Sequence, residues 1–305
     1  MPFKLVFLPP QNDRTRQMAA ALQVAVPEAR VALPADEAEA KREIADADAA
    51  FGTMPREVLA AAKKLRWLQA PAAAPPAGYY YDELVEHPVV VTNFRGIFND
   101  RIPAQIMTYL LMFARGFHVY VRQQMRHEWR PLTNADVVFL PEATALIVGV
   151  GNIGAETARL CAAFGMKVIG VDERAEMPID GVAELHRASA LDAQLPRADF
   201  VILTIPHTPE TEGLFDASKF ALMKRSAYFI NIGRGKTTKL DDLNRALRDG
   251  TIAGAGLDVY EIEPLPPDHP LWDAPNTILT PHAADRGPGL DERRQAILVE
   301  NARRF

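Results

Sequence analysis

With 305 residues, 48% of them apolar and 24% charged, the chain is long enough for two domains and has the composition of a globular protein. A net charge of −5 excludes the basic footprint of a nucleic-acid binder, and no run approaches the roughly 18 consecutive apolar residues of a membrane span. The single cysteine, Cys161, excludes an intrachain disulfide and points to a reducing, cytoplasmic setting.

The chain opens on Met-Pro-Phe-Lys-Leu-Val-Phe-Leu, too short an apolar run for a signal peptide. Residues 3–8 read as a strand, 14–24 as a helix, 49–52 as a short buried strand, 57–63 as a helix, and 66–69 and 89–92 as strands. This alternation implies a parallel sheet flanked by helices. Residues 99–121 read as one long helix led by Asn99 and Asp100, with Ile106, Tyr109, Leu110, Phe113 and Phe117 at helical spacing. It serves as a core helix or as a dimer contact. Residues 131–141 read as a linker. Strands then follow at 145–150, 167–171, 200–205, 228–232, 255–259 and 277–280. Helices fall at 155–164, 217–223, 240–249 (closed by Gly250) and 290–305.

Between the first two strands of this second series stands Gly149-Val150-Gly151-Asn152-Ile153-Gly154, with Asp172 ending the second strand. Strand, glycine loop, helix, strand and terminal acid in this order form a dinucleotide-binding βαβ unit. Gly149 permits the tight turn, Gly151 lets a pyrophosphate approach, and Gly154 lets the helix pack on the sheet. The helix N-terminus offers N–H groups to phosphates. Asp172 is suited to accept both hydroxyls of an adenosine ribose and to repel a 2′-phosphate, which favours NAD over NADP, although Arg174 is nearby. Cys161 lies in the loop helix, on an apolar side with Ala158, Phe164 and Gly165, and reads as a small core residue.

Ligands of open α/β sheets bind outside the carboxyl ends of the strands. Those ends carry Pro206-His207-Thr208-Pro209-Glu210-Thr211, then Gly233-Arg234-Gly235, then Asp258 with Glu261 and Glu263, then Pro281-His282. Hydride transfer to a 2-oxo acid needs a group to hold the carboxylate and polarise the ketone, and a group to supply a proton. Arginine suits the first because its planar fork never deprotonates. Histidine suits the second, and a neighbouring carboxylate fixes its tautomer. Arg234, His282 and Glu263 fill these roles. Glu261 competes with Glu263, which its Glu-Pro context favours; His207 reads as a loop residue at the rim of a cofactor site. No His/Cys cluster has metal-ligand spacing, so no metal is expected.

The order and separation of these stretches resemble the D-isomer-specific 2-hydroxyacid dehydrogenase family. The residues that carry the likeness are the glycine loop with Ala163-Phe164-Gly165-Met166, then Phe229-Ile230-Asn231-Ile232-Gly233-Arg234-Gly235, then Gly256-Leu257-Asp258-Val259-Tyr260 with Glu263-Pro264-Leu265-Pro266, and Asn276-Thr277-Ile278-Leu279-Thr280-Pro281-His282. The resemblance implies two doubly wound parallel-sheet α/β domains, a Rossmann nucleotide domain (99–285) inserted into a smaller flavodoxin-like substrate domain (1–98 plus 286–305), and a homodimer. It implies a small anionic 2-oxo or 2-hydroxy acid as substrate, Arg234 as its binding residue, His282 as acid/base and Glu263 as the partner of His282. Gly149, Gly151, Asn152, Ile153, Gly154, Asp172, Pro206, Thr211, Ile232 and Asp258 are implied to line the cofactor.

Two departures stand out. Where the family carries Ala-Gly-Val-Asp, whose backbone N–H groups hold the substrate carboxylate, this chain has a Pro- and Tyr-rich loop at 70–81; Ala73 and Ala74 occupy the corresponding place. Tyr79, Tyr80 and Tyr81 read as packing residues more readily than as pocket residues. The usual Ala-Glu of the long helix is Ala104-Gln105, and the family's further segment beyond the last helix is expected to be missing. A second reading, of a different class, is an NAD(H)-sensing regulatory protein on the same fold; the intact Arg, Glu and His set favours the enzyme.

Overall fold

The computed structural model describes residues 2–73, 75–76 and 78–305. In chain order, the first stretch comprises β1 (Phe3–Phe7), α1 (Asp13–Ala25), β2 (Ala29–Ala32), α2 (Glu37–Ile44), β3 (Ala49–Phe51), α3 (Arg56–Ala61), β4 (Trp67–Gln69), α4 (Asp82–Glu86) and β5 (Val90–Thr92). The next comprises α5 (Arg101–Ala114), α6 (Phe117–Met125), β6 (Thr144–Val148), α7 (Asn152–Ala163), β7 (Lys167–Val171), β8 (Glu184–His186) and α8 (Leu191–Gln194). It continues through β9 (Phe200–Leu203), α9 (Ala217–Leu222), β10 (Tyr228–Asn231), α10 (Leu240–Arg248), β11 (Gly254–Leu257) and β12 (Thr277–Leu279), and the chain closes on α11 (Leu290–Arg304). Two compact units result: the chain up to Ile97 together with Gly287–Phe305, and Phe98–Arg286, which lies in sequence between the two parts of the first.

The first unit has a five-stranded parallel sheet in the order β2-β1-β3-β4-β5, which is flavodoxin-like. Its inner strands β3 and β4 are wholly buried. α11 returns to this sheet: the Phe305 ring meets Phe3 and Trp67, with centroids 5.2 and 5.6 Å away. Asn301 Nδ2 donates to Gln69 Oε1 at 2.8 Å, and the Thr92 hydroxyl donates to the same oxygen at 2.7 Å. The buried Gln69 is thereby satisfied at the end of β4, where the 70–81 loop departs.

The second unit has a seven-stranded parallel sheet in the order β12-β11-β10-β9-β6-β7-β8. Strand order reverses at β6, whose neighbours are β7 and β9, as in a Rossmann sheet. β9, β10 and β11 are buried along their whole length, as expected of parallel strands covered on both faces. The fold class is therefore the one that the sequence implied. No helix among the described residues is long and apolar enough to cross a membrane.

The helix expected over 99–121 is two helices. α5 buries Ile106, Tyr109, Leu110 and Phe113 and ends at Ala114. Gly116 then adopts φ +70°, where a Cβ would also come within 2.1 Å of Leu132 Cδ1. α6 begins beyond it, and Phe117 falls off the buried face and is 55% exposed. Phe164 is likewise corrected: α7 stops at Ala163, and the ring beyond it is 44% exposed, while Ala158 and Cys161 are buried.

Candidate active site

The site is built at the carboxyl ends of β6, β7, β10, β11 and β12, within the second unit. Gly149 follows β6 at φ +94°, and α7 begins at Asn152 with Gly151 at its N-cap and no side-chain capping bond. The first-turn N–H groups of a 12-residue helix are thus not taken up by a capping side chain, as an anion site requires. A Cβ at Gly154 would lie 2.0 Å from the Gly149 carbonyl oxygen, so the packing of helix on loop itself demands glycine. A Cβ at Gly151 would meet nothing within 4 Å. Open space in front of an uncapped helix end is what a pyrophosphate would fill, and the residues present fit a dinucleotide. Asn152 and Ile153 form the first turn of α7.

Asp172 ends β7 beside this loop. Its Oδ2 accepts the Val150 N–H at 2.7 Å, and its Oδ1 accepts those of Arg174 and Ala175 at 2.7 and 2.8 Å. Burial acts to raise the Asp172 pKa, but these three backbone donors outweigh it and hold the carboxyl below its ordinary range. A carboxylate offers about four acceptor positions, so this arrangement leaves one, on Oδ2, rather than the pair expected for two ribose hydroxyls.

Arg234 follows β10 in a loop whose glycines are set by close approach: a Cβ at Gly235 would lie 1.8 Å from the Tyr260 carbonyl oxygen. The buried Asn231 fixes this loop. Its Oδ1 accepts the Gly233 N–H at 3.0 Å, and its Nδ2 faces the Arg234 carbonyl at 3.2 Å and the Thr238 hydroxyl at 3.0 Å. The Arg234 guanidinium donates to the Gly233 carbonyl at 2.7 Å.

His282 and Glu263 come together. His282 Nδ1 stands 2.7 Å from Glu263 Oε2, and Glu263 Oε1 accepts the Tyr260 N–H at 2.9 Å. A carboxylate only accepts, so Nδ1 carries the proton and Nε2 is the nitrogen free to exchange one. The imidazole is 50% exposed. Glu261 is engaged elsewhere, accepting the Leu240 N–H at the start of α10 at 2.7 Å.

The other expected residues take varied places. Thr211 donates its hydroxyl to the Pro206 carbonyl at 2.8 Å, closing the 206–211 turn, and His207 Nε2 lies 3.1 Å from Glu212. Ile232, just beyond β10, is buried in the core. Asp258 is buried and accepts the N–H groups of Ala283 and Ala284 at 2.9 and 3.0 Å, tying it to the His282 loop. Tyr79 and Tyr81 pack inward, their hydroxyls donating to the Gly52 and Met54 carbonyls at 3.0 Å each, while Tyr80 is half-exposed. Ala73 is partly buried in the 70–81 loop of the first unit; Ala74 lies outside the described residues. Among the described residues no group of three His, Cys, Asp or Glu side chains is placed to hold a metal ion.

Comparison with known proteins completes this picture. Residues 107–284 match the family model for the D-isomer specific 2-hydroxyacid dehydrogenase, NAD binding domain. This chain belongs to the D-isomer specific 2-hydroxyacid dehydrogenase family. A glyoxylate reductase of Korarchaeum cryptofilum is 34% identical over 80% of this chain and 74% of its own length. A family member of Xanthobacter autotrophicus Py2, solved with NADPH and MES, matches with a TM-score of 0.85 and 29% identity over 100% of this chain and 95% of the other. An NADPH-dependent glyoxylate/hydroxypyruvate reductase of Sinorhizobium meliloti, solved with NADP and sulfate, matches with a TM-score of 0.78 and 30% identity over 98% and 93%.

Sequence reasoning missed how this family member supports its site. Asn231 and Thr280 sit inside the motif stretches, and their supporting bonds are made by the fold. The available signal was polarity in the wrong place: Asn231 interrupts the apolar run Phe229-Ile230-Asn231-Ile232, and a polar side chain in a buried strand must be bonded.

Proposed function

We propose that this protein is an NAD(P)H-dependent reductase of small 2-oxo acids, acting reversibly on the D-2-hydroxy acid. The observation that carries the reading is the His282–Glu263 pair, set with Arg234 on neighbouring strand ends of the sheet that bears the glycine loop. When bound, the nicotinamide supplies or accepts the hydride. Arg234 binds the substrate carboxylate and polarises its carbonyl, roles suited to a permanently charged fork. His282 delivers a proton from Nε2 to the developing alkoxide, and Glu263 holds the ring in place through Nδ1. Gly149, Gly151, Asn152, Ile153 and Gly154 would hold the pyrophosphate, with Asp172, Pro206, Thr211, Ile232 and Asp258 along the rest of the cofactor. We assign Phe98–Arg286 as the dinucleotide domain and the other unit as the substrate domain, its 70–81 loop setting substrate preference.

The relatives named above support glyoxylate and hydroxypyruvate as first substrates to try. Asp172 supports NADH over NADPH, whereas the two solved relatives named above were captured with NADPH or NADP. A homodimer is supported by the face of α6 and the loop after it, where Phe117, Val121, Met125 and Trp129 are exposed. A cytoplasmic enzyme fits the lone, buried thiol. The test is steady-state kinetics on glyoxylate, hydroxypyruvate and larger 2-oxo acids with NADH and NADPH in parallel. Turnover of at least one acid is expected; none with either cofactor would overturn the reading.

A further inference from the structure

His282 adopts φ +48°, a backbone state that is uncommon for a residue with a Cβ and persists only where its surroundings enforce it. The enforcement is visible on both sides of it. Downstream, the Ala283 and Ala284 N–H groups end on the Asp258 carboxylate. Upstream, every polar group of Thr280 is engaged. Its N–H donates to the Leu257 carbonyl at 2.9 Å, and its carbonyl accepts the His282 N–H at 3.1 Å and the Tyr260 hydroxyl at 2.9 Å. Its hydroxyl donates to Asp258 Oδ1 and is hydrogen-bonded to the Tyr109 hydroxyl.

The direction of this chain is fixed by its end. The Asp258 carboxylate accepts, so Thr280 donates to it, and Tyr109 must then donate to Thr280. Tyr109 comes from α5, far away in sequence. Its ring lies against β11, where a Cβ at Gly256 would come within 2.8 Å of Tyr109 Cγ. Burial pushes the Tyr109 phenol up, so it remains a donor across the neutral range.

We propose that Tyr109 and Thr280 are positioning residues, which act through Asp258 and the backbone to hold the His282 imidazole against Glu263. The proposal rests on the reading of His282 as the acid/base. It predicts a defect in the proton-transfer step rather than in binding. Misplacing a reacting group by about 1 Å can cost on the order of 100-fold, so Thr280→Val should lower kcat by roughly 10- to 100-fold and leave KM within about twofold. Tyr109→Phe, which removes one oxygen and keeps the ring, should lower kcat by a smaller factor, and Thr280→Ser should restore it.

A second readout does not need turnover. In histidine-labelled protein, a long-range 15N–1H NMR spectrum reports the tautomer of each ring, and the peak missing from His282→Gln identifies that of His282. In the wild type and in Thr280→Ser, His282 should show a single form with the proton on Nδ1; in Thr280→Val and Tyr109→Phe it should average between forms. Should Thr280→Val lose its fold by circular dichroism, Tyr109→Phe serves in its place. A folded Thr280→Val or Tyr109→Phe variant with an unchanged His282 spectrum overturns the proposal, as does one in which only KM rises. If the wild type reduces no 2-oxo acid, that result bears on the function proposed above, and the NMR comparison alone decides this one.

Discussion

Glu263 Oε2 lies 2.7 Å from His282 Nδ1, and the other oxygen of the same carboxylate is held by the Tyr260 N–H. The pair is therefore oriented from the Glu263 side as well as from the His282 loop. Replacing His282 by Ala should lower kcat by about 10²–10⁴-fold, the usual worth of a positioned acid/base. Glu263→Gln keeps the shape but replaces the charged acceptor that holds Nδ1, so its loss should be smaller. Rates with saturating cofactor and 2-oxo acid check both, and an undiminished His282→Ala rate would remove the assignment.

Arg234 should not tolerate lysine. A hydrogen bond to a charged group contributes about 1.5–3 kcal/mol, so losing one arm of a two-point contact should reduce kcat/KM by roughly 10- to 100-fold. Because the Arg234 loop is fixed through its backbone by Asn231, Arg234→Lys should melt near the wild-type temperature. The discriminating measurement is kcat/KM for a 2-oxo acid beside the same constant for the cofactor.

Asp172→Asn tests cofactor choice and acid stability together. Loss of the charge should raise the kcat/KM ratio of NADPH to NADH. The sign of the pH effect follows from its lowered pKa. A depressed folded pKa contributes stability that is fully present above the unfolded value, about 3.9, and is lost as pH falls from there through the folded pKa. Thermal melts at neutral pH and on descending below pH 4 should show a shallower acid loss for Asp172→Asn than for the wild type.

Cys161 should be inert in the folded protein. It is buried, with Sγ 3.8 Å from Met107 Sδ, and burial pushes its thiol up to about 12. Only the thiolate is nucleophilic. Iodoacetamide at neutral pH should leave the native mass unchanged and add one adduct after denaturation; rapid native labelling would contradict the burial.

Trp129 is 99% exposed and Met125 is 80% exposed, on the face proposed above as the dimer contact. The double substitution Met125→Ser with Trp129→Ser should shift sedimentation from dimer towards monomer. A monomeric wild type, or a double variant that sediments unchanged, would tell against this face as the contact.

Much of this molecule was legible because parallel strands are apolar runs and their carboxyl ends are punctuated by glycine, proline and charge. The strands that bear Gly149, Asp172, Arg234 and His282 all fall where those runs end. Two of the edge strands were harder. β8 reads Glu-Leu-His and β2 reads Ala-Arg-Val-Ala, too short and too polar to stand out, because edge strands are only half covered. The break at Gly116 was hidden for a different reason: apolar residues continue across it at helical spacing, and only the left-handed φ of Gly116 marks where the helix stops. The Tyr109–Thr280–Asp258 chain was invisible because its members are far apart in sequence and each has an ordinary local role.

The two glycines at 151 and 154 answer to different demands. Gly154 is required by the folded chain itself, whereas Gly151 has backbone angles of −75° and −163°, open to any residue, and free space before it. Under selection for folding alone, position 154 would stay fixed and position 151 would drift. A descendant that had abandoned its dinucleotide would record the fact there first, in a protein otherwise indistinguishable by its fold.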